Sequence, residues 1–106
     1  MPTLNANPTL RDYQQYVIEL EAERGFSDQT VLMKTLMMGE EMGELFKAIR
    51  KQQQIKLDHA TAKVGEIDEE LADVFIFLCS IANRYGIDLE EAFRKKEAVN
   101  KQRVWE

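Results

Sequence analysis

The chain has 106 residues, of which 44% are apolar and 31% are charged, and its formal net charge is −5. This composition is typical of a globular protein, because it supplies enough apolar surface to drive collapse. The single cysteine, Cys79, excludes an intrachain disulfide and a thiolate zinc cage. The acidic balance argues against a nonspecific nucleic-acid binder, which needs a basic surface.

We also expect a cytoplasmic protein with no membrane segment. No basic stretch followed by an apolar one opens the chain, so no signal peptide is predicted. The longest apolar run, from Val74 to Cys79, is far too short to cross a bilayer.

The sequence predicts a flexible lead-in over residues 1–8 and one helical domain over residues 9–106. Both prolines lie in the lead-in, which leaves the rest of the chain free to form long helices. The first helix is predicted to begin at Thr9, which can form a capping pair with Asp12, and to stop at Gly25.

The second helix is predicted to start from a cap at Ser27 or Asp28 and to end near Gln52. A polar stretch over residues 53–63 follows, and its lack of periodicity predicts a loop.

The third helix is predicted from about Gly65 to Tyr85, with Gly86 as its stop. Asp88 begins a second capping pattern, which predicts a fourth helix that extends to about Val104. No segment alternates like a strand. Four helices with short connections indicate an all-α fold of the four-helix-bundle type.

The third helix is apolar on nearly every side between Val74 and Ala82. Such a helix must be buried all round, which three partner helices in so short a chain can scarcely achieve. We therefore expect an obligate oligomer with this helix near the subunit interface. The alternative is a monomer with a locally exposed apolar patch.

Carboxylates form rows on the second and third helices. Glu41 and Glu44 share one stripe of the second helix, and Glu70 and Asp73 share one stripe of the third. A single such pair is ordinary on a solvated face, but these pairs border the apolar arcs. Like charges at the edge of a core are costly unless a cation neutralises them.

An all-oxygen site from two facing helices suits Mg²⁺, with Mn²⁺ as the alternative. Zinc is disfavoured because the only histidine, His59, lies in the predicted loop. A di-iron bundle site is disfavoured because its Glu-x-x-His pairs are missing.

The fourth helix supplies the opposite charge. Its predicted core stripe of Leu89, Ala92 and Phe93 continues as Lys96, Asn100 and Arg103. These polar residues either extend to solvent from the helix end or form a cationic wall for phosphate oxygens. Carboxylates, a divalent cation and basic side chains are typical of phosphoryl or nucleotidyl transfer. The sequence has no glycine-rich phosphate loop.

These motifs resemble those of the MazG-like nucleoside triphosphate pyrophosphohydrolases. The run from Glu40 to Leu45 is similar to the family's EExxE motif, and Glu70-Leu-Ala-Asp73 to its ExxD motif. The pattern Lys96-x-x-x-Asn100-x-x-Arg103 is similar to its closing signature. Each motif is short, but their order and spacing match over nearly the whole chain, most closely to the short single-domain members.

The resemblance implies a dimer or a dimer of dimers that uses Mg²⁺ to hydrolyse a nucleoside triphosphate to the monophosphate and pyrophosphate. It implies metal ligands at Glu41, Glu44, Glu70 and Asp73, with Glu40 as a further ligand or as the residue that orients and deprotonates the attacking water. It implies phosphate contacts from Lys96 and Arg103 and a nucleotide contact from Asn100.

The predicted function is nucleotide-pool cleaning by attack of a metal-activated water at the α-phosphorus, with a deoxynucleotide such as dCTP as substrate. Two alternatives remain at this point. One is a non-catalytic helical module that dimerises and binds a protein. The other is a sensor that binds a nucleotide or phosphate without turnover.

Overall fold

A computed structural model of the chain describes residues 1–53 and 64–104. These residues form four helices: α1 (Leu10–Arg24), α2 (Val31–Gln52), α3 (Val64–Arg84) and α4 (Leu89–Asn100). No strand occurs within these two ranges. The all-α class is confirmed, whereas the bundle arrangement and the oligomer stay predictions. Among the described helices, none combines the length and apolar character that crossing a membrane requires.

The chain divides into two compact units, and the division falls inside α3. The terminal unit consists of Met1–Asp28 and Ala82–Glu106, and the central unit consists of Gln29–Ile81. Residues 1–8 belong to the terminal unit and form no helix or strand.

The terminal unit is built from α1 and α4, which contact each other, and from the last turn of α3. Its buried apolar side chains are Val17, Leu20 and Ala82. A buried glutamate of α1, Glu21, accepts a hydrogen bond of 2.9 Å from the Arg84 guanidinium at the end of α3.

The central unit contains α2 and most of α3, with Ala48 and Cys79 as its buried apolar residues. Cys79 has no exposed surface. Burial raises the pKa of its thiol to about 11, because the thiolate would lose its hydration.

Local chemistry explains most helix ends. Thr9 and Asp12 form the predicted capping box, in which each side chain bonds the other's backbone N–H. Gly25 closes α1 with a φ of 75°, a left-handed conformation that favours glycine. The Asp88 side chain accepts from the Glu91 N–H at 3.0 Å and caps α4 as predicted.

Two predicted boundaries are wrong. The second helix starts at Val31, and its cap is Thr30 instead of the expected Ser27 or Asp28. Ser27 and Asp28 form a turn, and the Thr30 side chain accepts from the Met33 N–H at 3.1 Å. The fourth helix ends at Asn100 instead of Val104, because residues 101–103 form a turn. The predicted loop over 53–63 lies outside the described residues except for Gln53, the C-cap of α2.

Candidate functional site

Three of the four predicted metal ligands meet between α2 and α3. One carboxylate oxygen from each of Glu41, Glu70 and Asp73 lies within 4.8 Å of the other two. Glu41 comes from the middle of α2, and the other two residues lie one turn apart on α3. This juxtaposition follows from the carboxylate stripes, because each places its acids on the helix face that meets the other helix.

The negative charges of these carboxylates repel one another, which disfavours the ionised form of Glu70. The pKa of Glu70 is raised above its ordinary value, first by loss of solvent and then by a hydrogen bond with the Glu41 carboxyl. The negative charges of Glu41, Asp73 and Glu44 raise it further.

A divalent cation fits this donor set. The Oε2 atom of Glu70 is buried, and no hydrogen-bond partner reaches it within the described parts of the chain. An unsatisfied buried oxygen beside two further carboxylates is a costly arrangement that an oxygen-binding cation would relieve. The donors are oxygens only, which suits Mg²⁺ or Mn²⁺ better than zinc.

Glu44, the fourth predicted ligand, lies next to this group. It is exposed on α2 and lines a small cavity of about 140 Å³ together with Glu70. Lys47, Lys51 and Glu66 line the same cavity. The side chain of Glu44 is therefore near enough to act on the charge of Glu70, although it is not one of the three clustered residues.

Glu40 precedes the cluster residue Glu41 and is exposed on α2. Consecutive helical residues point about 100° apart, so Glu40 faces a different direction from Glu41. Within the described residues it is not a member of the three-carboxylate group.

The predicted substrate residues belong to the other unit. Lys96 is exposed on α4, and Asn100 is the last residue of that helix. Arg103 lies beyond the helix in the turn that follows, where its backbone N–H donates to the Asn100 carbonyl at 3.1 Å. The expectation of one continuous helical row is wrong for Arg103, because α4 ends before it.

Asn100 has one unused acceptor. Its Nδ2 donates weakly to Glu97 Oε2 at 3.5 Å, while its Oδ1 is buried without a hydrogen-bond partner in the described ranges. An amide oxygen in this state can accept a hydrogen bond from an incoming hydroxyl or amino group.

Phe93 was expected in the core and is instead 68% exposed. It lines an open cleft of about 550 Å³ beside Leu10 of α1. The sequence pattern placed it correctly on an apolar stripe of α4, but that stripe faces solvent at this position.

Sequence reasoning missed Lys34, a lysine that is only 3% exposed on α2. Its Nζ lies 5.7 Å from the centre of the Phe77 ring, one turn after Asp73 on α3. A lysine inside the methionine-rich run of α2, two turns before Glu41, was the available signal.

Comparison with known proteins gives a match to the family described as the MazG nucleotide pyrophosphohydrolase domain, over residues 28–104. A curated relative from Salmonella phage PMBT28, named dATP/dGTP diphosphohydrolase, is 35% identical over 98 residues. That alignment covers 92% of this chain but only 28% of the relative. The chain thus spans less than a third of the length of that protein.

Proposed function

Because the chain belongs to the MazG nucleotide pyrophosphohydrolase domain family, we propose that it hydrolyses a nucleoside triphosphate to the monophosphate and pyrophosphate with the aid of Mg²⁺. The observation that supports this most directly is the group formed by Glu41, Glu70 and Asp73. Its buried, partnerless oxygen and its raised carboxyl pKa favour a bound cation over a solvated acidic surface.

Glu41, Glu70 and Asp73 would hold the cation, with Glu44 completing the set from the next turn of α2. When bound, Mg²⁺ supplies charge stabilisation to the phosphates and lowers the pKa of a bound water. Mn²⁺ has the same preference for oxygen ligands and is the alternative metal.

The reaction transfers the nucleotidyl group from an oxygen of pyrophosphate to the oxygen of a water molecule. A water oxygen attacks the α-phosphorus, and the bond between that phosphorus and the oxygen of the leaving pyrophosphate breaks. We assign to Glu40 the role of orienting this water and accepting its proton. Glu40 suits this role because it lies next to Glu41 in sequence yet outside the cluster.

The substrate contacts are assigned by the family's closing motif. Lys96 and Arg103 would bind phosphate oxygens, and Asn100 would accept a hydrogen bond from the sugar or base. The partnerless Oδ1 of Asn100 supports this role. We propose a deoxynucleotide substrate in nucleotide-pool cleaning, and the name of the phage relative favours dATP and dGTP over the dCTP expected from sequence.

We further propose that the chain works as a homodimer or as a dimer of dimers. Large apolar side chains are exposed on both helices of the central unit: Leu32, Leu36 and Phe46 on α2, and Leu71 and Leu78 on α3. Exposed apolar surface of this extent favours association. Light scattering coupled to size exclusion should give a mass of two or four chains, and a monomer mass that persists at high concentration would contradict the proposal.

The test of the reaction is product identity. Purified protein with Mg²⁺ is incubated with a panel of ribo- and deoxynucleoside triphosphates, and products are separated by anion exchange. We expect a monophosphate and pyrophosphate in equal amounts. Release of orthophosphate and a nucleoside diphosphate would contradict the assigned bond cleavage.

The same panel separates the alternatives. Tight nucleotide binding without turnover would favour a sensor, and neither binding nor turnover would favour an interaction module. The variant Glu44→Gln should lose activity while it keeps its helical circular dichroism. Glu69→Gln, an exposed residue of α3 outside the cluster, is the matched control and should remain active.

A further inference from the structure

A buried glutamine of α1 joins three parts of the terminal unit. Gln14 is 6% exposed, and its side-chain amide uses both its donor and its acceptor groups. The Nε2 donates to Asn83 Oδ1 at 3.1 Å and to the Ile87 carbonyl at 2.8 Å. The Oε1 accepts from the Leu89 N–H at 2.9 Å.

The network is reciprocal. Asn83, in the last turn of α3, donates from Nδ2 to the Gln14 carbonyl at 2.9 Å. The two side chains therefore hold each other in one orientation, and four hydrogen bonds connect α1 to the end of α3 and to the start of α4. We refer to these four bonds as the Gln14 network.

The hydrogen bond from the Leu89 N–H is the contact through which this network fixes the start of α4. Leu89 is the first residue of α4, and the first N–H groups of a helix have no partner inside the helix. The N-cap residue, Asp88, satisfies the Glu91 N–H, whereas Gln14 satisfies the Leu89 N–H from another helix. The start of α4 is thus built partly by α1.

A small change in the direction of α4 at Leu89 moves the far end of the helix by a larger distance. Asn100 lies 11 residues after Leu89, or about 16 Å at 1.5 Å per residue. A tilt of about 10° at the start of α4 would displace Asn100 by roughly 3 Å, and misplacements of about 1 Å can reduce catalysis a hundredfold.

We propose that Gln14 is a positioning residue for substrate binding, which acts by fixing the first turn of α4 and with it Lys96 and Asn100. This inference rests on the proposed function, because it requires α4 to bind the nucleotide. Among the described residues, the hydrogen bonds of the Gln14 side chain go to Asn83, Ile87 and Leu89 and not to that pair, so its effect passes through Leu89.

The test compares Gln14→Leu with Gln15→Leu, the same substitution at the exposed neighbouring position. We expect Gln14→Leu to raise KM for the triphosphate about tenfold, and Gln15→Leu to leave it within twofold of wild type. A purely structural role would lower the fraction of folded enzyme, which reduces kcat and leaves KM unchanged. That second pattern would overturn the proposal.

Two further measurements keep the test decisive. Amide hydrogen exchange at Leu89 should accelerate at least tenfold in Gln14→Leu, and unchanged exchange there would contradict the network's role. If Gln14→Leu does not fold, Asn83→Ala removes two of the four bonds and should raise KM in the same direction by a smaller factor. An unchanged KM in that variant would overturn the proposal.

Failure of the two proposals can be told apart. If wild type hydrolyses triphosphates and KM of Gln14→Leu is unchanged, the positioning role is wrong and the proposed function stands. If wild type neither binds nor hydrolyses a triphosphate, the proposed function is wrong and the positioning role falls with it.

Discussion

Glu41 on α2 and Glu70 on α3 each bring a carboxylate oxygen within 4.8 Å of the other. Loss of solvent and the neighbouring Glu41 carboxyl together raise the pKa of Glu70 above its ordinary value. A cation that binds both carboxylates would compete with a proton for Glu70. The pair is therefore the place where metal binding and protonation compete.

Mg²⁺ binding should depend on pH. We expect the Mg²⁺ affinity measured by calorimetry to fall as pH is lowered, and to begin falling at a higher pH than an ordinary glutamate would give, because the raised pKa of Glu70 favours its protonated form. Glu41→Gln and Glu70→Gln should each weaken Mg²⁺ binding at least tenfold. An Mg²⁺ affinity that does not fall with pH, or an unchanged affinity in both variants, would contradict the assigned ligands.

The basic residues of α4 should contribute to substrate affinity more than to turnover. Lys96→Met should raise KM for the triphosphate about tenfold or more, since it removes a charge from phosphate binding. Lys95→Met, which changes another exposed lysine on a different face of α4, should change KM less than twofold. Equal effects of the two variants would indicate a general charge effect instead of a specific contact.

The ion pair between Arg11 and Asp88 should make stability depend on pH. Hydrogen bonds from the Glu91 N–H and from Arg11 hold the pKa of Asp88 below its ordinary value of 3.8. A carboxyl group with a depressed pKa contributes stability above its ordinary value, and this contribution is lost as pH falls through the lower folded value.

A double-mutant cycle with Arg11→Met and Asp88→Asn isolates this pair, because asparagine retains the capping function. The coupling in free energy of unfolding should be favourable at pH 7, weaker in 1 M salt and absent below the folded pKa of Asp88. A coupling that persists in strong acid would show that the pair is not ionic.

Replacing either of two glycines with alanine should change the free energy of unfolding, but in opposite directions at the two positions. Gly25→Ala should destabilise the chain by about 1 kcal/mol, because its φ of 75° is unfavourable for a side chain even though no atom lies within 4 Å of the added Cβ. Gly39→Ala, in the interior of α2 with the same open space, should stabilise it by about 0.5–1 kcal/mol. Urea unfolding midpoints measure both changes, and a shift of the same sign would contradict the backbone explanation.

Sequence reasoning predicted much of the fold because helix caps are local. Thr9, Gly25 and Asp88 act on their own backbones within a few residues, so their chemistry can be read from spacing alone. The cap of α2 was missed because Ser27, Asp28 and Thr30 all have capping side chains, and the turn before the helix decides among them.

The carboxylate group was predictable for a similar reason, since helical periodicity places Glu41, Glu70 and Asp73 on defined faces. Lys34 and Gln14 were not predictable in this way. Each is a polar residue whose burial depends on a partner far along the chain, Phe77 for the lysine and Asn83 for the glutamine. Periodicity gives the face of a helix but does not identify what covers it.

Because Cys79 is completely buried, the reactivity of its thiol reports how often the central unit opens. With its pKa near 11, almost no thiolate is present at neutral pH, and no reagent can reach the sulfur while the surrounding helices stay packed. The rate at which a thiol reagent labels the chain therefore reports how often α3 opens. The same labelling rate, compared with and without Mg²⁺, measures how far a cation bound at the carboxylates would stabilise the packed state, and it requires no engineered cysteine.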